Sequence, residues 1–307
     1  MSIPNSDFIA ALNLKFLFYD NEKSRYVGTN KRISRLFILK VVLILKIIFY
    51  LCVIVVASMP ASLTAESLRI AVASNFKSVT HKLKTQYENI YGANIQVIAG
   101  SSAKLMAQII HGAPFDIFLS ADQEKIEVLY KKQLIIPETR SIYAVGQLVL
   151  YCPELHCNNV ECDLAKMNAD SVDTLLNRKD VNKVAMANPK LAPYGLAAKQ
   201  VLEQAKLYRK LESKWVFGEN VNQSFQFIKT GNVDCGFVAF SQVISQGADT
   251  KNYWLISEDR YQPIKQEGAV LSQSKNKQQA INFMQWLAKR DVQMFIQEYG
   301  YRSASAL

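Results

Sequence analysis

Twice in close succession the chain runs a short apolar strand into a serine-bearing turn and then into an amphipathic helix, from Leu68 to Ser74 and again from Ile95 to Ser102. Strands that alternate with helices in this way build parallel sheets covered by helices, and ligands in such folds sit beyond the carboxyl ends of the strands. The first helix carries Phe76, Val79, Leu83, Tyr87 and Ile90 at helical spacing up to Gly92. The second spans Lys104 to His111 and stops at Gly112. Strand Phe115 to Leu119, helix Gln123 to Lys132 and an apolar crossing strand near Gly146 to Tyr151 follow. A second block reads as strand Val184 to Ala187, helix Leu196 to Ala205, strand Trp215 to Phe217, helix Asn222 to Thr230 and strand Phe237 to Phe240. Gly268 to Leu271 is a last strand, before two C-terminal helices split near Arg290 and Asp291. Those helices need a sheet to cover, which lets the end of the chain complete a first lobe.

The two serine turns constrain chemistry as well as fold. The start of a helix presents backbone N–H groups without intrahelical partners and the positive end of the helix dipole, so an adjacent hydroxyl completes a neutral cage for an oxyanion. A serine before a helix can equally be a simple N-cap. Two of them at parallel strand ends weigh toward a site. A cage made only of donors rejects an oxyanion that still carries a proton, which selects against hydrogen phosphate.

The N-terminus points to export. From Leu36 to Ala57 the sequence is apolar apart from Lys40 and Lys46, with Lys31, Arg32 and Arg35 before it and Ala61-Ser62-Leu63-Thr64-Ala65 after it. That is the order of a signal peptide, and Ser58-Met59-Pro60 breaks the helix where a peptidase needs extended chain. An uncleaved membrane anchor is the alternative, because the stretch is about long enough to span a bilayer. The formal charge of +10 is half a property of this leader. Beyond residue 65 there remain 28 Lys/Arg against 23 Asp/Glu, spread without an Arg-rich run, so no nucleic-acid partner is expected.

Four cysteines follow the leader. Cys152, Cys157 and Cys162 fall at five-residue intervals, and Cys235 stands apart. One local disulfide or none is the expectation in an oxidising compartment, with the pairing left open. A zinc site with His156 lacks the usual short Cys spacing. Asp116 and Asp122 read as structural residues capping helices, and the scattered His81, His111 and His156 as satisfied or exposed side chains.

Several separated motifs together resemble one family. They are Ala71-Val72-Ala73-Ser74-Asn75-Phe76, Gly100-Ser101-Ser102-Ala103-Lys104-Leu105, Gly112 to Asp122, Asn188-Pro189, Ala192-Pro193-Tyr194-Gly195 and Gly236-Phe237-Val238-Ala239. Their order and spacing over residues 66–305 are similar to the periplasmic molybdate-binding proteins of ABC importers, the ModA family. The resemblance implies a type II periplasmic-binding-protein fold, with lobe 1 from residues 66–145 and 262–307, lobe 2 from 146–261, and hinge crossovers between them. Residues 1–65 are then a leader. It implies capture of molybdate, and of tungstate, by hydroxyls and backbone N–H groups without a counter-charge. The implied ligands are Ser74 and Ser102 through their hydroxyls, Tyr194 and Val221 through backbone N–H, and the position of Ala239, where some members place a tyrosine hydroxyl. The metal is held only as the oxyanion. No cofactor is needed, no reaction is catalysed, and the implied partners of this periplasmic monomer are a membrane permease and its ATPase.

Two rivals remain in the residues. Neutral donors suit sulfate or another small oxyanion equally. Ser101-Ser102-Ala103-Lys104 contains Ser-x-x-Lys, and Lys229-Thr230-Gly231 supplies a Lys-Thr-Gly, the elements of a serine acyl-transfer enzyme with Ser101 as nucleophile and Lys104 as base. The Lys-Thr-Gly ends a helix in this reading, and no Ser-Asp-Asn accompanies it.

Overall fold

The computed structural model describes residues 40–50, 67–153, 164 and 171–303. The chain divides into two compact units, Met1–Leu63 and Thr64–Leu307. In the first, residues 40–50 are helical and expose their apolar side chains. No helix among the described residues is long and apolar enough to cross a membrane. The cleavage region near Ala57 to Ala65, along with His156, Cys157 and Cys162, lies outside the described residues.

The second unit opens with β1 (Leu68–Ala73), a single 3-10 turn at Ser74–Phe76 and helix α1 (Lys77–Tyr91). Then come β2 (Ile95–Gly100), α2 (Ser102–Ile110), β3 (Ile117–Leu119), α3 (Glu124–Lys131) and β4 (Ser141–Gly146). Gly92 closes α1 with φ +64° and Gly112 follows α2 with φ +83°, left-handed conformations that glycine adopts without steric cost. After Gln147 the chain enters β5 (Leu148–Tyr151) in a different sheet. Helix α4 (Ser171–Leu176), β6 (Val184–Ala187), α5 (Pro193–Gln204), β7 (Trp215–Gly218), α6 (Val221–Lys229), β8 (Cys235–Ala239), α7 (Phe240–Ser245) and β9 (Tyr253–Leu255) belong to that second block. The chain then returns through β10 (Ile264–Val270) to the first sheet and ends in α8 (Lys277–Leu287) and α9 (Arg290–Glu298).

The two five-stranded sheets share one logic, with strand orders β2-β1-β3-β10-β4 and β7-β6-β8-β5-β9. In each, four strands point one way and a single strand, β10 or β5, runs against its two neighbours. Those reversed strands are the ones the chain enters on crossing between sheets. This is the expected α/β architecture of two mostly parallel sheets flanked by helices.

Period-two alternation on β1 sorts its side chains between two helical layers. Ile70 and Val72 join Phe76, Leu83, Tyr87, Phe283 and Trp286 on one face, whereas Ala71 meets Leu105, Ile109 and Phe118 on the other. Tyr87 lies 5.1 Å, centroid to centroid, from both Phe283 and Trp286, so the C-terminal helices do cover the first sheet. Where one crossing strand was expected, two exist. Gln147 separates β4 from β5, and each pairs in its own sheet.

The cysteine expectation needs correction. Cys152 is bridged to Cys235, 83 residues on, and the disulfide is not local. Tyr151 pairs with Gly236 on the antiparallel β5–β8 ladder, so the next opposed pair is Cys152 and Cys235, with Cα atoms 4.3 Å apart. That is the separation of a non-hydrogen-bonded antiparallel pair. A ladder register, absent from the spacing of nearby cysteines, sets the connectivity.

One glycine fixes how α5 meets β6. An ideal Cβ on Gly195 would overlap the Ala187 carbonyl oxygen and sit 2.7 Å from its carbon, with Asn188 backbone 3.0 Å away. Backbone cannot swing aside as a flexible side chain can. Gly195→Ala is expected to destabilise the fold by about 1–3 kcal/mol through overpacking, read as a lowered melting temperature. An unchanged melting temperature would contradict the close approach.

Candidate functional site

Both serine turns sit where parallel strands end. Ala73 is in register with Gly100, so Ser74 and the Ser101–Ser102 turn leave neighbouring strands side by side. Ser101 is the N-cap of α2, its Oγ accepting from the Lys104 N–H at 3.4 Å. Ser102, 1% exposed, does something else: its Oγ accepts the Ala121 N–H at 3.0 Å. A hydroxyl offers one proton and two lone pairs, so this bond occupies an acceptor site and leaves the proton to donate. Ser74 Oγ has no partner among the described residues.

The second lobe supplies the other face. Pro193 begins α5, so the Tyr194 N–H lies among the orphan donors of its first turn. Asn220 caps α6 by accepting from Gln223 N–H at 3.1 Å, which leaves the Val221 N–H at the first position. The N–H groups of Ser102, Tyr194 and Val221 have no acceptor among the described residues. Contacts across the lobes join residues next to them in sequence. The Ala103 N–H donates to the Leu191 carbonyl, Lys104 Nζ pairs with Glu219 at 2.7 Å, and Ser241 Oγ donates to the Asn75 carbonyl. Helices α6 and α7 both touch the turn that carries Ser74.

Ala239 does not join them as a donor. Its side chain is a methyl, and its N–H donates to Gln242 Oε1 at 3.1 Å. The Gln242 amide also reaches the Val221 carbonyl. Neither its side chain nor its N–H is then free to donate. A glutamine three residues on ties Ala239 to the start of α6 instead.

Around the donors lies an uncharged hydrogen-bonded network that the sequence reading missed. Gln266 Oε1 accepts from Asn75 Nδ2 at 2.9 Å and from the Tyr143 hydroxyl at 3.0 Å, while its Nε2 donates to Tyr194 Oη at 3.3 Å. The single Tyr301 hydroxyl proton lies within reach of the Asn75 carbonyl and Ser241 Oγ, and Tyr301 Oη accepts from Asn75 Nδ2 at 3.2 Å. Burial pushes the phenols of Tyr143, Tyr194 and Tyr301 well above the usual tyrosine range, so all stay neutral. No local signal marks it: Gln266 stands between Lys265 and Glu267 in a strand of mixed polarity, and only the fold shows that this amide is fully buried and so needs partners.

The acidic residues hold the frame. Asp116 Oδ2 accepts the Arg69 N–H at 2.7 Å and Oδ1 the Ser274 hydroxyl at 2.6 Å, whereas Asp122 Oδ1 accepts the Lys125 N–H at 2.9 Å. Burial raises the Asp122 carboxyl's pKa, opposed by Lys125. The acyl-transfer constellation is not assembled. Lys104 Nζ is engaged by Glu219, and Lys229-Thr230-Gly231 ends α6, where Thr230 Oγ1 bonds the Gln226 carbonyl.

Helix-start donors thus stand on both lobes, beside the contacts that join them. The profile of the family described as bacterial extracellular solute-binding protein matches residues 68–302. The molybdate-binding protein ModA of Rhodobacter capsulatus is 34% identical over 231 residues, 75% of this chain and 86% of the relative. Its counterpart from Azotobacter vinelandii is 34% identical over 239 residues, 77% and 90% respectively. The solved structure of the Azotobacter vinelandii periplasmic molybdate-binding protein superposes with a TM-score of 0.69 at 31% identity, covering 77% of this chain and 99% of that one. The chain belongs to the bacterial extracellular solute-binding protein family.

Proposed function

We propose that the chain is the substrate-binding protein of an ABC importer, capturing molybdate between its lobes outside the cytoplasm and handing it to a membrane permease and its ATPase. What supports this reading is that both lobes present donors without an acceptor among the described residues at element starts, Ser74 and Ser102 on one and the Tyr194 and Val221 N–H groups on the other, with contacts between the lobes beside them. Relatives at 34% identity named for molybdate support the ligand. A buried dianion needs its oxygens saturated by donors, because an unpaired buried charge would cost several kcal/mol. Tungstate, of the same charge and shape, belongs to the same reading. A cleaved signal peptide over the apolar segment would release the protein into the periplasm.

Deleting the coding sequence is expected to abolish molybdenum-dependent enzyme activity when cells grow on trace molybdate, with activity restored by excess molybdate. Full activity of the deletion strain at trace molybdate would overturn the transport role.

A further inference from the structure

Tyr194 faces two ways. Its backbone N–H lies at the open first turn of α5, but its side chain crosses to the other lobe. The residue is 2% exposed, and its hydroxyl meets Gln266 on β10 and Gly146 at the end of β4, both strands of the first sheet. An ideal Cβ on Gly146 would overlap Tyr194 Oη and lie 2.9 Å from both Tyr194 Cζ and Gln266 Nε2. Gly146 is not among the glycines with positive φ. Backbone conformation therefore does not demand glycine there; space does. The absent side chain is a notch, and the phenol fills it.

The notch stands where the lobes articulate. Gly146 is followed by Gln147 and then by Leu148, the first residue of the second sheet, and it pairs with Ile264, the first residue of the returning strand. Gln266 also holds Asn75, immediately after Ser74. One buried carboxamide thus touches the residue that arrives from the second lobe and the turn that carries a proposed anion ligand.

The geometry points to Tyr194 as the positioning residue that couples lobe closure to the anion turn, its phenol seating against Gly146 and its hydroxyl engaging Gln266, which in turn fixes Asn75. This inference deepens the proposed interlobe site and rests on that reading. The coupling is steric and hydrogen-bonded, between groups that remain neutral, so no charge change drives it.

The test compares full-length wild type with Gly146→Ala, Tyr194→Phe and the double variant, by molybdate titration and by small-angle scattering without ligand. Gly146→Ala is expected to lose at least about tenfold in molybdate affinity and to scatter with a larger radius of gyration than wild type, since its methyl group holds the phenol out. Tyr194→Phe alone is expected to weaken binding about three- to tenfold and, by leaving the buried Gln266 Nε2 without its acceptor, to lower the ligand-free melting temperature. In the Gly146→Ala background the same Tyr194→Phe change should strengthen binding, because it deletes the overlapping oxygen. That reversal of sign is not expected of two independent structural defects. A Gly146→Ala protein that binds and scatters like wild type, or effects that simply add, would overturn the coupling. Should Gly146→Ala fail to fold, Tyr194→Phe decides alone, unchanged affinity counting against the proposal. If wild type binds no molybdate, the transport reading fails, and the ligand-free scattering comparison still decides the stop.

Discussion

Substituting both Ser74 and Ser102 with alanine is expected to weaken molybdate binding by about 2–6 kcal/mol, at least about 30-fold in the dissociation constant, as two charge-assisted hydrogen bonds are lost. The two single variants should differ in a second measurement. Ser74 Oγ bonds nothing else among the described residues, so Ser74→Ala should leave the ligand-free melting temperature where it was. Ser102 Oγ also receives the Ala121 N–H, and Ala121 is buried. Ser102→Ala therefore strands a buried donor and should cost about 1–3 kcal/mol of stability as well as affinity. Equal affinity in wild type and double variant would remove both serines from the site. Equal melting temperatures for Ser102→Ala and wild type would remove the Ala121 bond.

Replacing Cys152 and Cys235 together with alanine is expected to lower stability by about 2–5 kcal/mol, or roughly 4–20 °C in melting temperature for a unit of this size. The bridge closes a sequence separation of 83 residues, so its loss releases much chain entropy in the unfolded state. Affinity should hardly change. Leu148 and Ala239 pair at the crossover end of the β5–β8 ladder, whereas Cys152 and Cys235 close its far end. Thermal denaturation of wild type with and without reductant checks the same point without mutation. Identical transitions in both conditions would show that the bridge does not stabilise the fold.

What could be read from the residues was whatever local pattern dictates. The strand at Leu68, the apolar spacing from Val79 to Tyr87 and the stops at Gly92, Gly112 and Gly231 all reappear within a residue or two, because side-chain period and left-handed glycine are properties of short segments. The start of α5 was placed late, at Leu196. Pro193 begins the helix, its fixed φ and missing N–H suiting the first helical position, a signal that apolar spacing does not carry. Near Gly146 to Tyr151 only one strand is legible, and β4 before it is not, since only the partners β10 and β8 reveal that Gln147 changes sheet.

The same division holds at the site. Ser74, Ser102, Tyr194 and Val221 stand at element starts, so motif order could point to them. The Cys152–Cys235 bridge, the Lys104–Glu219 ion pair and the Gln266 network join residues far apart in sequence, and nothing local announces them. Ala239 depends on a side chain that local pattern does not place. Its position was noted from resemblance, but the use of its N–H depends on where the Gln242 side chain folds.

The most direct test is calorimetric titration of the compact unit beginning at Thr64 with molybdate, tungstate, sulfate and phosphate near neutral pH. The predicted result is tight one-to-one binding of molybdate and tungstate with little response to the other two. Tightest binding of sulfate, or no binding of any of the four, would contradict it.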